Sequence, residues 1–252
     1  MKNGLVLTIP NSDFSSNNTG NALFPCYQNL KQAIFYGNKI PNLTAFKKIK
    51  GVNKSALGTA SFTDYTVKLA QSDYFPKVID KLPNGSSTIA LVLSRASAPN
   101  KNNTLYLIAN SGATNASEAG GFILEIYETS DGLNTTMQLF PFSIGVNSAL
   151  RASAAGISPY FIAIATFNIA TKEVTLTIAN AKGQQTKSVI AGNLLANGNL
   201  YNTDTEFRFN ETMPGGLHYS AVSVHDKALN AAEIQQLIDY YKSFYADAPV
   251  PV

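Results

Sequence analysis

Tryptophan is absent from this 252-residue chain, cysteine occurs once and histidine twice. The single thiol, Cys26, cannot close an internal disulfide, and one thiol with two imidazoles cannot build a common zinc site. Charge is scarce as well: 14% of residues are Asp, Glu, Lys or Arg, against about 25% in an ordinary soluble domain. The formal net charge of +3 is too small an excess to point to nucleic acid, whose binders gather Lys and Arg on one face. No apolar run approaches the ~18–20 residues of a membrane-spanning helix. Near the N-terminus, Leu5, Val6, Leu7 and Ile9 are stopped at once by Pro10 and Asn11-Ser12-Asp13. That falls short of the ~7–15-residue apolar core of an export signal, so a first strand is expected instead. No residue set calls for a metal or a cofactor, and none is expected.

The aliphatic and aromatic residues that are present run through the whole chain, enough for one self-sufficient core. Two periods divide it. Tyr27, Leu30, Ala33 and Ile34 recur at helical spacing after Pro25, and Gly37 follows as a stop. A second short helix is expected from Leu43 to Lys50, with Asn42 as N-cap and Leu43, Phe46 and Ile49 on one face. Lys47, Lys48, Lys50 and Lys54 make this the most basic stretch. Residues 1–54 are therefore expected to be an N-terminal strand plus a helical attachment segment. Tyr27, Leu30, Ile34 and Phe46 are its candidate assembly contacts, since an amphipathic stripe must be buried somewhere.

From Phe62 onward the period is two. Strands are expected near Tyr65–Leu69, Thr88–Ser94, Thr104–Asn110, Phe122–Glu128, Thr205–Phe209 and Leu217–His225. Ile89 to Leu93 is continuously apolar, as in a strand buried on both faces. Tyr160 to Ile190 reads as a three-stranded meander in which Val174, Leu176 and Ile178 alternate with Thr175 and Thr177. One helix closes the domain. Asn230 and Glu233 have capping-box spacing, and Ile234, Leu237, Ile238 and Tyr241 form its apolar face. The fold class is mainly β: an antiparallel jelly-roll sandwich over residues 55–246, with a short helical N-terminal segment, a closing C-terminal helix and a tail at 247–252.

Two stretches carry a family resemblance. Tyr160-Phe-Ile-Ala-Ile-Ala-Thr-Phe-Asn168 followed by Glu173-Val-Thr-Leu-Thr-Ile178 resembles the central hairpin of the concanavalin A-like lectin/glucanase superfamily, in its laminin-G-like form. Ser220-Ala-Val-Ser-Val-His-Asp-Lys-Ala-Leu-Asn-Ala-Ala-Glu-Ile234 is similar to that family's last strand and closing helix. The resemblance implies a jelly roll and glycan-related chemistry. Ser220 and Ala221 stand where acidic residues are common in the family's last strand, a departure from the pattern on which an inherited calcium or ligand site would depend. The opening Ile9-Pro-Asn-Ser-Asp-Phe-Ser15 also resembles the start of some bacteriophage structural and bacterial surface proteins.

Glycan hydrolysis on such a fold needs two carboxylates about 5–5.5 Å apart for a retaining reaction. Glu125 and Glu128 are the nearest pair, but a spacing of three puts them on opposite faces of a strand. His218 and His225, seven apart, would also face opposite ways in an unbroken strand, and the serines beside them have no nucleophile elbow. No catalytic residue is assigned. Sugar binding needs Asn or Asp side chains and aromatic faces, which the long loops supply in Asn115, Asp131, Asn134, Tyr201 and Asp204.

The expected function is a non-enzymatic phage virion protein, a head-fibre, decoration or tail component whose lectin-like jelly roll either binds host-surface glycan or simply decorates the particle. Its partners would be further copies or other virion proteins, with no nucleic acid. Folding in the host cytoplasm and release by lysis reconcile an Asn- and Thr-rich, charge-poor chain with the lack of an export signal. The alternatives are a bacterial carbohydrate-binding or adhesion module at the cell surface or outside the cell, and, with less support, a glycan-active enzyme.

Overall fold

The computed structural model of the chain describes residues 24–39, 48–52, 61–68, 85–95, 105–109, 121–128, 135–142, 150–154, 160–181, 183–190 and 217–246. In chain order the strands are β1 (Leu30–Tyr36), β2 (Ile49–Val52), β3 (Ser61–Phe62), β4 (Val67–Lys68), β5 (Ser87–Arg95), β6 (Leu105–Ala109) and β7 (Gly121–Glu128). They continue as β8 (Thr135–Phe142), β9 (Leu150–Ala154), β10 (Tyr160–Asn168), β11 (Glu173–Asn180), β12 (Gly183–Ile190) and β13 (Leu217–His225). The helix α1 (Ala231–Phe244) follows the last strand.

Among the described residues these strands make two sheets. The larger runs β12-β11-β10-β5-β13-β1-β2, with β4 pairing β13 and β3 pairing β4; the smaller is the meander β6-β7-β8-β9. All pairings are antiparallel except β1 with β2. β9 lies against β11 and β12, and β8 against β11, which makes the two sheets an antiparallel β-sandwich. The chain leaves the large sheet after β5, runs through the small sheet, and returns at β10 beside β5, a jelly-roll crossing.

Alternation along the central strands sorts the core into two layers. Ile89, Leu91, Leu93, Phe161, Ala163, Ala165, Phe167, Val174, Leu176 and Ile178 share one face of the large sheet by register, and all are buried. On the opposite face Ala90, Val92, Ile162, Ile164 and Ala221 pack under Ile234, Leu237, Ile238 and Tyr241 of α1. This two-sided burial explains the unbroken apolar run of β5. The helix follows its sequence signals closely: Asn230 accepts from the Glu233 amide at 3.0 Å, and the Glu233 carboxylate accepts from the Asn230 amide at 2.9 Å.

The first expected N-terminal helix is a strand, and residues 43–47 of the second lie outside the described residues. Tyr27–Asn29 is a single 3₁₀ turn, and Leu30 to Tyr36 is strand β1, hydrogen-bonded between β13 and β2. The apolar spacing there fits both periods, but Ala33, Ile34, Phe35 and Tyr36 are consecutively buried. A helix has only one buried stripe, whereas a central strand buries both faces. Ile49 and Lys50, expected as a helix end, begin β2. Gly37 ends a strand rather than a helix, at φ +142°, where a Cβ would stand 2.3 Å from the Asp64 carbonyl oxygen.

β8 and β9 lie where no strand was expected. Pro141 disguises β8, yet it sits opposite Phe122 beyond the stretch that β9 covers, so its missing N–H breaks only one ladder. The meander β10–β11–β12 has the expected order and hairpins. The expected strands at 5–9 and 205–209 fall outside the described residues.

Candidate functional site

A closed helix–sheet interface would need α1 to cover the whole outer face of the large sheet, and it does not. Cross-strand register shows how the side chains change towards the edge. One row reads Ala221, Val92, Ile162, Ala179, Gln184; the next Ser223, Ala90, Ile164, Thr177, Thr186; the third His225, Thr88, Thr166, Thr175, Ser188. Each row therefore passes from the helix-covered centre to hydroxyls and amides on β11 and β12. The result is a groove of about 380 Å³ between the sheet edge and the start of α1. Small-ligand sites typically occupy ~300–1,000 Å³.

Its sheet wall is Thr166, Asn168, Glu173, Thr175, Thr177, Gln184 and Thr186; its helix wall is Ala228 to Ala231 with Ile234. Thr88 holds the helix wall in place: its hydroxyl donates to the Lys227 carbonyl at 2.8 Å and accepts from the Leu229 amide at 2.9 Å. The threonines are ordered in cross-strand pairs, Thr166 with Thr175 and Thr177 with Thr186, the latter at 2.9 Å. Thr166 and Thr177 are buried, Thr175 is half-buried and Thr186 exposed. Paired hydroxyls keep lone pairs to offer a ligand.

The amides are also fixed. Asn168 accepts from the Ala170 and Thr171 amides at 3.1 and 3.3 Å, and Asn230 caps α1. With both Oδ1 atoms engaged, what these residues can offer a ligand is the donor group Nδ2. Glu173 is half-buried, and its carboxylate has no ion pair or hydrogen bond among the described residues. Glu173 faces Asn168 on one side and Ile190 on the other. Ile190 is 65% exposed. Register therefore sets an apolar side chain beside a carboxylate on the groove's face.

Around the helix start, charge is already answered. Burial alone would raise the Glu233 carboxyl, but the Lys227 hydrogen bond at 2.5 Å, the Asn230 amide and the Lys227 charge outweigh it and hold its pKa below the usual value. Burial, helped by Glu233 and opposed by Lys227, pushes the Cys26 thiol up. Its position before a short turn gives it no activation.

Asn115, Asp131, Asn134, Tyr201, Asp204 and Phe46 lie outside the described residues. Leu30 and Ile34 are buried in β1, and Tyr27 is half-buried under Lys48, whose Nζ sits 4.9 Å from its ring centre. Glu125 and Glu128 are both on β7, three apart in unbroken pairing with β8. The histidines differ from expectation. A bulge between Tyr219 and Ala221 shifts the register, so His218, opposite Ser94, and His225, opposite Thr88, lie on the same face. They remain roughly 20 Å apart along the strand. His218 Nδ1 meets the Thr66 hydroxyl at 3.1 Å.

The groove residues were not singled out from sequence. Thr175 and Thr177, on the polar parity of β11, were the visible signal; their meeting with Thr166 and Thr186 depends on register.

No protein-family model matches the chain, and no curated protein matches it in sequence. Solved structures do. The botulinum neurotoxin serotype D binding domain is similar at 14% identity and TM-score 0.48, over 73% of this chain and 44% of that one. A Ruminococcus gnavus IT-sialidase CBM40 is similar at 13% identity and TM-score 0.45, over 70% of this chain and 97% of that one. The same CBM40 bound to alpha2,3 sialyllactose gives 15% identity and TM-score 0.44, over 62% and 83%. The chain thus spans less than half of the neurotoxin binding domain that it resembles.

Proposed function

We propose that this chain is a non-catalytic carbohydrate-binding module of the concanavalin A-like, laminin-G-like type, carried by a bacteriophage particle as a head-fibre, decoration or tail component. The groove between α1 and the β11–β12 edge carries the proposal. A saccharide presents hydroxyls that both donate and accept, beside C–H surfaces that prefer apolar contact. The groove sets threonine hydroxyls and carboxamides on one wall and Ala228, Leu229, Ala231 and Ile234 on the other. Hydrolysis of a glycan needs a pair of opposed carboxylates, and Glu173 is the one carboxylate among the described residues lining the groove. The phage setting rests on the resemblance of Ile9-Pro-Asn-Ser-Asp-Phe-Ser15 to the start of some bacteriophage structural proteins.

The test is a glycan array and calorimetry on the full chain and on Thr186→Arg. Thr186 is exposed at the groove mouth, so a long side chain fills the groove without disturbing the core. The expected result is saccharide binding by the native chain, lost in Thr186→Arg, with no reducing ends released. Binding that survives the substitution, or an array with no retained glycan, overturns the groove as a saccharide site. Detection of the chain in purified particles by mass spectrometry supports the virion setting; its presence only on bacterial cells replaces it with a cell-surface adhesion module.

A further inference from the structure

We infer that the groove selects its saccharide by charge, preferring a sugar with a free amine, then a neutral sugar, and disfavouring a carboxylated one, with Glu173 as the residue that sets this order. The inference rests on the groove being a saccharide site.

Among the described residues lining the groove, Glu173 alone bears charge; the rest are Thr, Asn, Gln, Ala, Leu and Ile. Its carboxylate has no cationic partner among the described residues, unlike Asp64, Asp226 and Glu233, each of which is bonded to a lysine. A ligand ammonium would supply that partner, whereas a ligand carboxylate would meet an uncompensated like charge. The nearby helix N-terminus is a weak source of positive potential, confined to its first turn. Glu233 already occupies that turn and closes the capping box. Among the described lining residues, Glu173 is therefore the charge that a ligand meets.

Ile190 completes the site. It is 65% exposed, adjoins Glu173 across the β11–β12 pairing, and faces the same side. An exposed apolar side chain of this size next to an unpaired carboxylate suits the C–H face of a pyranose whose amine reaches the carboxylate. The size of the preference follows from exposure: a half-exposed ion pair contributes ~0.2–1 kcal/mol, so up to about fivefold in affinity per charge.

The experiment compares three soluble probes at pH 6 on the full chain: a glucosamine trimer, the same trimer fully N-acetylated, and a galacturonic acid trimer. Calorimetry should rank them in that order, with the glucosamine trimer about three- to fivefold tighter than its acetylated form at low salt. The gap should shrink with ionic strength, because exposed charge pairs are screened. Glu173→Gln should abolish the ranking, bringing the affinities for the three probes within about twofold of one another. Binding of all three with no ranking, or a ranking that survives Glu173→Gln, overturns the assignment of Glu173 alone. Failure of the native chain to bind any of the three overturns this inference; the saccharide site itself falls only if the glycan array also retains nothing.

Discussion

The phenol of Tyr241 on the closing helix donates to the hydroxyl of Ser223 on β13 at 2.9 Å, and both side chains are buried. This bond crosses the interface that the apolar stripe of α1 makes with the sheet. Tyr241→Phe keeps the ring among Phe24, Phe35 and Tyr240 but strips a buried hydroxyl of its donor, which should cost about 1–3 kcal/mol. Adding Ser223→Ala should recover part of the loss, because removing both partners is closer to neutral than orphaning one. Urea unfolding of the two single variants and the double variant measures the coupling. A double variant no more stable than Tyr241→Phe would show that the phenol acts through packing alone.

Leu237 sits at the centre of the same interface, fully buried among Ile234, Ile238 and the sheet. Leu237→Ala should lower stability by about 2–5 kcal/mol through lost burial and a residual cavity. An unchanged urea midpoint would mean that the helix does not contribute to the cooperative unit.

Gly37 ends β1 where a side chain has neither the backbone conformation nor the room. At φ +142°, an added Cβ would lie 2.3 Å from the Asp64 carbonyl oxygen and 2.5 Å from the Tyr65 Cα. Both neighbours are backbone atoms and cannot swing aside. Gly37→Ala should therefore destabilise by more than about 1 kcal/mol. The effect should appear first in hydrogen exchange of Asn38 and Lys39, whose amides donate to Thr63 and Asp64 carbonyls at 2.8 and 2.9 Å.

These elements differ in how legible they are in the sequence, for physical reasons. The closing helix is written locally: Asn230 and Glu233 are three residues apart, and its stripe recurs within a few turns. The β10–β12 meander is local too, since its hairpin turns are short and its alternation is clean. β1 is not local. Whether Leu30 to Tyr36 becomes helix or strand is settled by β13, nearly two hundred residues away, which offers a ladder on one side while α1 covers one face. The bulge in β13 is equally invisible, and it alone brings His218 and His225 to one face. For the candidate site, the outward parity of Thr175 and Thr177 was readable. That α1 stops short of β11 and β12, leaving them in a groove, depends on where the helix docks.

His225 gives the protein a specific acid weakness. The ring is buried and stacked on Phe24 at a centroid distance of 6.2 Å, and neither nitrogen reaches hydrogen-bond geometry with a described residue. Burial lowers its pKa from 6.5 to about 4. The nearby Cys26 backbone and the Asp226 and Glu233 carboxylates pull upward without offsetting that, and Lys48 adds to the lowering. The unfolded chain, with an ordinary histidine, takes up a proton near pH 6.5 that the folded chain refuses until about pH 4. Between those values the unfolded state binds more protons, so stability falls as pH falls. The loss from this group is absent above pH 6.5 and complete near pH 4, and amounts to about 3 kcal/mol. The lowered carboxyl of Glu233 contributes its own loss only at more acidic pH. His225→Phe preserves an aromatic face for Phe24 and removes the titration, so its stability should vary less between pH 7 and pH 5 than that of the native chain. Thermal unfolding by circular dichroism across that range measures the difference. Parallel profiles for the two proteins would show that His225 carries the same proton in both states and is not the source of the acid sensitivity.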